Sequence, residues 1–228
     1  MNRTPLAIAT LLVAQTSTAQ PTVPYTSPGW MDFGTTNITG LVGNFLPGWT
    51  SLTATPDLGD DVFFIPTQSL SGAPGDAALW MLNYDPGSIG APSNESVRLS
   101  LDGFTIGDTY ELSFFATVVT NSFAGWVGNN DPLSVDLTGA DIASFVTVPL
   151  NDPVDADGLN PWTPISITFV ALSTNVQFDF GANPIGLDPA GTATRFGIDG
   201  FDARLVPTPA SAALLTLGGL VAIRRRRV

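Results

Sequence analysis

Apolar and polar residues alternate with a period of two in five stretches of this 228-residue chain. The stretches are residues 97–101, 110–118, 133–137, 165–171 and 176–180. Successive side chains of a β-strand point to opposite faces, so each stretch predicts a strand with one buried and one solvent-facing side. Between its two ends the chain shows no convincing helical repeat. The pattern therefore limits the domain to folds that are built from sheets.

Turn-forming residues separate these stretches, for example Asp102-Gly103 and Gly107-Asp108. Clusters of glycine, aspartate, asparagine and proline favour tight turns. Further strands are predicted at residues 49–53, 61–65, 77–82, 144–148 and 196–206. About ten short strands joined by such turns predict an all-β protein, built as an antiparallel β-sandwich.

Residues 1–19 have the pattern of a secretory signal peptide. Arg3 supplies the positive charge, residues 6–14 form an apolar run, and small residues precede the expected cut by signal peptidase after Ala19. We expect this segment to form a signal helix that is removed on export. The Pro-rich residues 20–30 predict a surface arm, and residues 31–206 are long enough for one domain with a sizeable core.

The charge of the chain is unevenly distributed. The whole chain has 20 acidic and eight basic residues, for a net charge of −12. All 20 acids lie in the predicted domain, whose only basic residues are Arg98, Arg195 and Arg204, so the domain alone carries −17. Such a surface repels nucleic acid and anionic lipid and attracts cations. We therefore exclude nucleic acid as a partner.

Cysteine, histidine and lysine are all absent from the sequence. The chain therefore has no disulfides, and its composition excludes Ser-His-Asp and Cys-His catalysis, Schiff-base chemistry, P-loop phosphate binding and His-ligated zinc. A carboxylate-based glycoside hydrolase stays open, because it needs only two carboxyl groups about 5–10 Å apart. With 20 acids in the chain, almost any fold would bring two carboxyl groups this close, so such a pair would not by itself indicate a hydrolase. The composition favours a non-enzymatic protein.

The C-terminal segment joins a proline-rich breaker, an apolar run and a block of positive charge. The apolar run at residues 210–223 is shorter than the ~20 residues that a membrane-spanning helix needs. The charged block would hold the C-terminus on the cytoplasmic side. An ordinary tail anchor or a terminal helix packed on the domain is the alternative. The residues concerned are Pro207, Thr208, Pro209, Arg224, Arg225, Arg226 and Arg227.

The order of features in this segment resembles a PEP-CTERM sorting signal: Pro-x-Pro, small residues, an apolar run with Gly-Gly, and a terminal arginine cluster. The resemblance covers residues 207–228. It implies a short apolar membrane segment that is removed by an exosortase, a membrane cysteine transpeptidase, with delivery to the cell surface or the exopolysaccharide layer. Thr208 stands where the family usually has an acid, and this difference affects which sorting enzyme would accept the chain.

The body of the chain resembles galactose-binding-like jelly rolls. The resemblance rests on the residue order at 47–49, 78–83, 103–114 and 196–202. It implies a jelly-roll sandwich that is non-catalytic, often binds glycans and often holds a structural calcium ion.

Two sets of acids are candidate calcium ligands, because calcium prefers six to eight oxygen ligands. Asp155 and Asp157, with Gly158, resemble half of a calcium loop, although proline stands at both places where the loop should begin and close. In the jelly rolls that this chain resembles, an acid on the last strand meets the first strand at a calcium ion. Asp199 matches that position approximately, and Asp202 follows it. The alternative for both sets is a solvated carboxylate.

Trp126, Asn129 and Asn130 lie in a Gly- and Asn-rich stretch that predicts a loop. An exposed ring with neighbouring amides suits a neutral glycan, and loops on a rigid sandwich commonly bind ligands. Alternatively, Trp126 folds under its own loop. The sequence thus predicts an exported, cell-surface or matrix protein that binds carbohydrate weakly, with a purely structural role as the alternative. The tryptophans predicted to lie in or beside the core are Trp49, Trp80 and Trp162.

Overall fold

The computed structural model describes residues 20–26, 47–54, 56–60, 77–85, 93–119, 127–128, 132–147, 162–182 and 192–207. These residues form β-strands, turns and loops and contain no helix. In particular, they include no apolar helix of membrane-spanning length. The predicted helices within residues 1–19 and 208–228 lie outside the described residues.

Thirteen strands are present in the described part of the chain. In chain order they are β1 (Tyr25–Thr26), β2 (Trp49–Thr53), β3 (Asp57–Asp60), β4 (Ala77–Asp85), β5 (Ser93–Asn94), β6 (Ser96–Asp102), β7 (Thr109–Val119), β8 (Val127–Gly128), β9 (Leu133–Thr138), β10 (Ser144–Val146), β11 (Thr163–Val170), β12 (Asn175–Ala182) and β13 (Thr192–Leu205).

The strands form two sheets. The larger sheet has the order β11-β7-β13-β4-β3, with β1 and β8 beside β13 and β5 beside β4. The smaller sheet has the order β10-β9-β12-β6-β2. Every described pair of strands is antiparallel except β8 with β13. From β4 onward the chain crosses repeatedly between the sheets. The predicted all-β antiparallel sandwich is confirmed.

The core lies between the sheets and is rich in aromatic rings. Phe201 of β13 contacts three other rings, with centroid distances of 4.9 Å to Trp49, 5.4 Å to Phe114 and 5.5 Å to Phe180. All four side chains are almost fully buried. Such pairs contribute about 0.5–1.5 kcal/mol each beyond the burial of their area. This cluster joins both sheets in a chain without disulfides.

The strands predicted at the five alternating stretches are confirmed as β6, β7, β9, β11 and β12, with shifts at their ends. The further predicted strands at residues 49–53 and 77–82 are β2 and β4. The predicted strand at 196–206 is the second half of the longer β13, and the one at 144–148 is the three-residue β10. The predicted strand at 61–65 lies outside the described residues. The acid-rich residues 57–60, where no strand was predicted, form β3, because Leu58 is buried and the backbone pairs with β4.

The N-terminal arm predicted at residues 20–30 is joined to the sandwich where the structure describes it. Val23 N donates to Asp102 O at 2.8 Å, and Asp102 N donates to Pro21 O at 2.9 Å. Tyr25 and Thr26 then pair with the end of β13, and the Tyr25 ring is buried. As far as Thr26, this segment contributes an edge strand and a core residue.

Candidate functional site

The structure describes the surroundings of three of the predicted site residues. Asp199 and Asp202 lie on β13, and Pro207 is an exposed residue after that strand. The predictions for the remaining ones stay predictions, because those residues lie outside the described part of the chain. They are Trp126, Asn129, Asn130, Asp155, Asp157, Thr208, Pro209, Arg224, Arg225, Arg226 and Arg227.

Asp199 lies at an irregularity of β13, where the register with β7 shifts between Asp199 and Asp202. Its side chain is buried, and Oδ1 accepts a hydrogen bond from Gly200 N at 2.6 Å. A carboxylate that accepts from the next backbone N–H stabilises a bulge of this kind. The contact gives Asp199 a structural role at the centre of the larger sheet.

Asp202 is the acid that contacts the first strand. It pairs in register with Thr26, whose Oγ1 donates to Asp202 Oδ1 at 3.2 Å. Arg204 Nη1 lies 3.5 Å from Asp202 Oδ2, and Arg204 Nη2 lies 3.3 Å from Glu111 Oε1. Asp202 and Glu111 therefore both have the guanidinium of Arg204 beside them. Within the described residues, no group of three or more Asp, Glu, His or Cys side chains could hold a metal ion.

A row of polar side chains crosses the solvent-facing side of the smaller sheet. The residues are in register on all five strands, each directly opposite the next. With strands about 4.8 Å apart, the row extends over about 19 Å. Its members, from β2 to β10, are Thr50, Arg98, Asp179, Asp136 and Ser144.

A bidentate ion pair lies at the middle of this row. Arg98 Nε donates to Asp179 Oδ1 and Arg98 Nη2 donates to Asp179 Oδ2, both at 2.6 Å. The hydrogen bond to Asp179 raises the pKa of Arg98 above its ordinary value, against the smaller effect of burial. Two parallel bonds fix both planar groups, because the fork of the guanidinium matches the carboxylate. Both side chains remain partly exposed.

Asp136 lies directly opposite Asp179 and is exposed. Like charges directly opposite each other destabilise a pair of strands, and here Arg98 balances one of the two. A second row beside the first is uncharged and consists of Ser100, Gln177 and Thr138. We call the two rows together the polar face: it offers many hydrogen-bond donors and acceptors but little net charge.

The polar face was not predicted as a site from the sequence. Arg98, Ser100, Asp136, Gln177 and Asp179 are the polar residues of three alternating stretches, which is the pattern of any solvated sheet. What joins Arg98, Asp179 and Asp136 is the pairing of β6, β12 and β9, which are far apart in the chain. Register of this kind is set by tertiary packing and has no local signal.

A pair of tryptophans lies on the outer side of the larger sheet. Trp80 is 1% exposed and its ring centroid is 6.2 Å from that of Trp162, which is half-buried. Leu79 and Met81 of the same strand belong to the core between the sheets, whereas Trp80 and Ala78 form a separate cluster. The burial of Trp80 was predicted correctly, but it lies on the opposite side of β4 from the main core.

Comparison with protein-family models finds no match, and comparison with curated proteins finds none. Among solved structures, the chain is similar to a putative sugar binding protein from Bacteroides thetaiotaomicron VPI-5482, with 11% identity, a TM-score of 0.43, and coverage of 77% of this chain and 97% of that one. It is also similar to the K1 cleaved adhesin domain of Lys-gingipain from Porphyromonas gingivalis W83, with 11% identity, a TM-score of 0.42, and coverage of 75% and 99%.

A third similarity is to the enzymatically active domain of tailspike protein 4 from bacteriophage CBA120, with 11% identity and a TM-score of 0.43. It covers 70% of this chain, which spans only 19% of the tailspike chain. None of these similarities identifies a ligand for the chain.

Proposed function

We propose that the chain is an exported, non-enzymatic surface or matrix protein that binds neutral polysaccharide weakly through its polar face. The observation that carries the proposal is the row from Thr50 through Arg98, Asp179 and Asp136 to Ser144, which aligns hydrogen-bonding groups across five strands. A polymer with many hydroxyl groups can donate and accept hydrogen bonds along the length of this row.

The strand order supports a jelly-roll sandwich of the galactose-binding-like type. Strands β4, β13, β7 and β11 lie side by side in one sheet, and β6, β12, β9 and β10 in the other. Eight strands divided in this way between two sheets have the arrangement of a jelly roll. In this fold the two outer faces and the connecting loops are the surfaces that a long polymer can reach.

The physical chemistry of the polar face favours a neutral ligand and a low affinity. The described residues on this face include no aromatic ring, so binding depends on hydrogen bonds that compete with water. Each such bond contributes about 1 kcal/mol net. A few such bonds barely offset the free-energy cost of association, so a single contact is weak and repeated contacts along a polymer would strengthen it. Anionic polymers are disfavoured by the domain charge of −17.

The two ends of the sequence support export. We propose that signal peptidase removes residues 1–19 and that an exosortase removes the tail at residues 207–228 after a transient stage in the membrane. The intact mass of protein extracted from the cell surface tests both cleavages. A mature species that still ends in Val228 would contradict the second.

Binding can be tested by electrophoresis in gels that contain a neutral polysaccharide. We expect the wild-type chain to be retarded, and we expect the double variant Asp136→Ala/Thr138→Ala to lose most of the retardation. Both residues are exposed, so the melting temperature should change little. The matched control is Ser166→Ala/Thr168→Ala, because these residues are exposed on the outer side of β11 in the other sheet.

Equal retardation of the wild type and the polar-face variant would contradict binding through this face. If Trp126→Ala then abolished retardation, the ligand would instead bind at the loop that the sequence predicts. Release of reducing sugar from the same polymer would favour the hydrolase alternative.

A further inference from the structure

Both ends of the described domain lie at one end of the sandwich. Asp102 N donates to Pro21 O at 2.9 Å where the N-terminal segment joins β6. Val206 N donates to Thr109 O at 2.9 Å where the chain leaves β13. Because Asp102 and Thr109 flank the turn between β6 and β7, the chain enters and leaves the sandwich beside that turn. We call this the terminal end.

Three turns form the terminal end, and backbone hydrogen bonds connect them. Gly107 N donates to Ala171 O and Leu172 N donates to Gly139 O, both at 2.8 Å, and Phe104 N donates to Thr174 O at 3.2 Å. The turns after β6, β9 and β11 are thereby fixed against one another. Their surface is a rigid part of the domain.

Two large aliphatic side chains are exposed on this rigid surface. Ile106 is 62% exposed and Leu172 is 58% exposed, the highest values among the large hydrophobic residues that the structure describes. The hydrogen bond between Gly107 and Ala171 places their two turns side by side. Leu205, which is also exposed, ends β13 at the same end. Exposed apolar side chains gathered at one end of the domain suit an interaction surface.

We infer that the terminal end rests on a lipid bilayer while the tail is held in the membrane, with Ile106 and Leu172 in contact with the headgroup region. The inference depends on the proposed sorting tail. From Pro207 to Ala210, where the apolar run begins, three peptide units span at most about 11 Å. The headgroup layer is about 5–8 Å thick on each side of the hydrocarbon core. A tail in the bilayer therefore keeps the terminal end at the headgroups.

The charge at the terminal end selects the type of lipid. Asp108 and Asp141 belong to its turns, Asp102 ends β6 beside them, and Asp141 is exposed. Carboxylates within a Debye length of an anionic bilayer are repelled. The surface therefore suits zwitterionic headgroups, and anionic lipid in the outer leaflet should weaken the contact.

The absence of cysteine allows a direct test with the full chain. Ile106→Cys and Leu172→Cys would each carry a polarity-sensitive fluorophore, and the chain with its tail would be mixed with phosphatidylcholine vesicles. Leu52→Cys and Val146→Cys are matched controls, because both residues are exposed. Their strands place them away from the terminal end: Leu52 lies beside the start of β6, and Val146 is opposite Ser134 near the start of β9.

We expect the emission of labels at 106 and 172 to shift to shorter wavelength and to be quenched by lipid-attached nitroxides, with no response at 52 or 146. Equal responses at all four positions would overturn the inference. So would the absence of any response in a chain that sediments with the vesicles. Either result would leave the proposal of a sorting tail unaffected. If the chain does not sediment with vesicles, both this inference and the membrane stage of the tail are wrong; polysaccharide binding is measured separately.

A second measurement needs no label, because it removes the two apolar side chains and measures binding to the vesicles. The double variant Ile106→Ser/Leu172→Ser should reduce partitioning of the full chain into phosphatidylcholine vesicles about tenfold, equivalent to about 1.4 kcal/mol. Leu52→Ser should leave partitioning unchanged. Adding phosphatidylglycerol should weaken the wild type's fluorescence response. Unchanged partitioning of the double variant would overturn the proposed contact.

Discussion

The indole ring of Trp80 lies over Gly197, its partner in register on the neighbouring strand. A Cβ atom at Gly197 would come within 2.9 Å of Trp80 Cζ3 and within 2.9 Å of Cγ2 of Thr117, which is opposite on β7. Real Cβ atoms almost never approach so closely. The absence of a side chain at Gly197 is what allows Trp80 to cross the outer side of the larger sheet.

Gly197→Ala should therefore destabilise the domain by about 1–3 kcal/mol through overpacking. The expected fall in melting temperature is about 2–4 °C for each kcal/mol in a domain of this size. Gly181→Ala is the matched control, since its Cβ would meet only Ser96 Cβ at an ordinary 3.5 Å. Similar melting temperatures for the two variants would show that Trp80 does not pack as described.

Arg98→Ala should lower the free energy of unfolding by about 1 kcal/mol, within the upper range for partly exposed ion pairs. The variant leaves Asp179 directly opposite Asp136 without the guanidinium that balances them. Adding Asp136→Asn should recover part of the loss, because it removes the repulsion. Urea unfolding of the single and double variants measures the coupling, and strict additivity would argue against it.

Glu95 joins the two sheets where the chain passes from β5 to β6. Its Oε2 accepts from Leu82 N at 2.7 Å, and its backbone N donates to Leu82 O at 3.0 Å. Glu95→Ala should cost about 1–3 kcal/mol, because the partly buried N–H of Leu82 loses its acceptor, while Glu95→Gln should cost less. Thermal unfolding distinguishes these results; equal losses for both would mean that the charge, not the acceptor, matters.

Burial raises the pKa of the Tyr25 phenol above its ordinary value of 10.0, and the hydrogen bond from Trp49 Nε1 at 3.4 Å opposes this in part. The folded state therefore favours the neutral phenol. Its contribution to stability is complete below about pH 10 and is lost as the pH rises through the higher folded pKa. Tyr25→Phe should lose about 1 kcal/mol at neutral pH, because Trp49 loses an acceptor.

In alkali the variant should lose less additional stability than the wild type. Melting temperatures of both proteins from about pH 8 to about pH 11 test the sign. Parallel curves for the wild type and the variant would contradict a role for Tyr25 ionisation.

Calcium should raise the melting temperature over that in chelator. For a dissociation constant of ~10⁻⁴ to 10⁻³ M, about 10 mM calcium adds roughly 1.4–2.7 kcal/mol. Asp155→Asn/Asp157→Asn should remove the shift if the stretch at 155–158 is the site. Asp199→Asn or Asp202→Asn should remove it if the site lies on the last strand, where Asp202 meets the first strand. Sodium at equal ionic strength is the control, and an equal shift with sodium would contradict a specific site.

The alternating stretches predicted the strands β6, β7, β9, β11 and β12, because an antiparallel sandwich buries one side of each of them. The pattern fails where that condition fails. Strand β4 is buried on both sides, so its sequence does not indicate on which side of the sheet Trp80 lies. The short strand β3 has two acids in four residues and no alternating pattern.

Of the candidate site, the residue types were evident from the sequence but the assembly was not. Arg98 and Asp179 are 81 positions apart, and only the pairing of β6 with β12 brings them together. The sequence also favoured Asp199 as the acid beside the first strand, whereas the structure places Asp202 there. The register shift in β13, which turns on local backbone geometry, separates the two.

The position of β13 has a mechanical consequence. This 14-residue strand is bonded to β7 on one side and to β4 and β1 on the other, and the chain continues from it toward the tail. If the domain is tethered by its tail and binds a polymer, as proposed, drag on the polymer in flow becomes tension along this strand. Its hydrogen bonds run across the direction of pull, so they resist in shear together and do not peel apart one at a time. A tether at the C-terminal tail, as proposed, would therefore act on the domain through the described strand that has the most neighbouring strands.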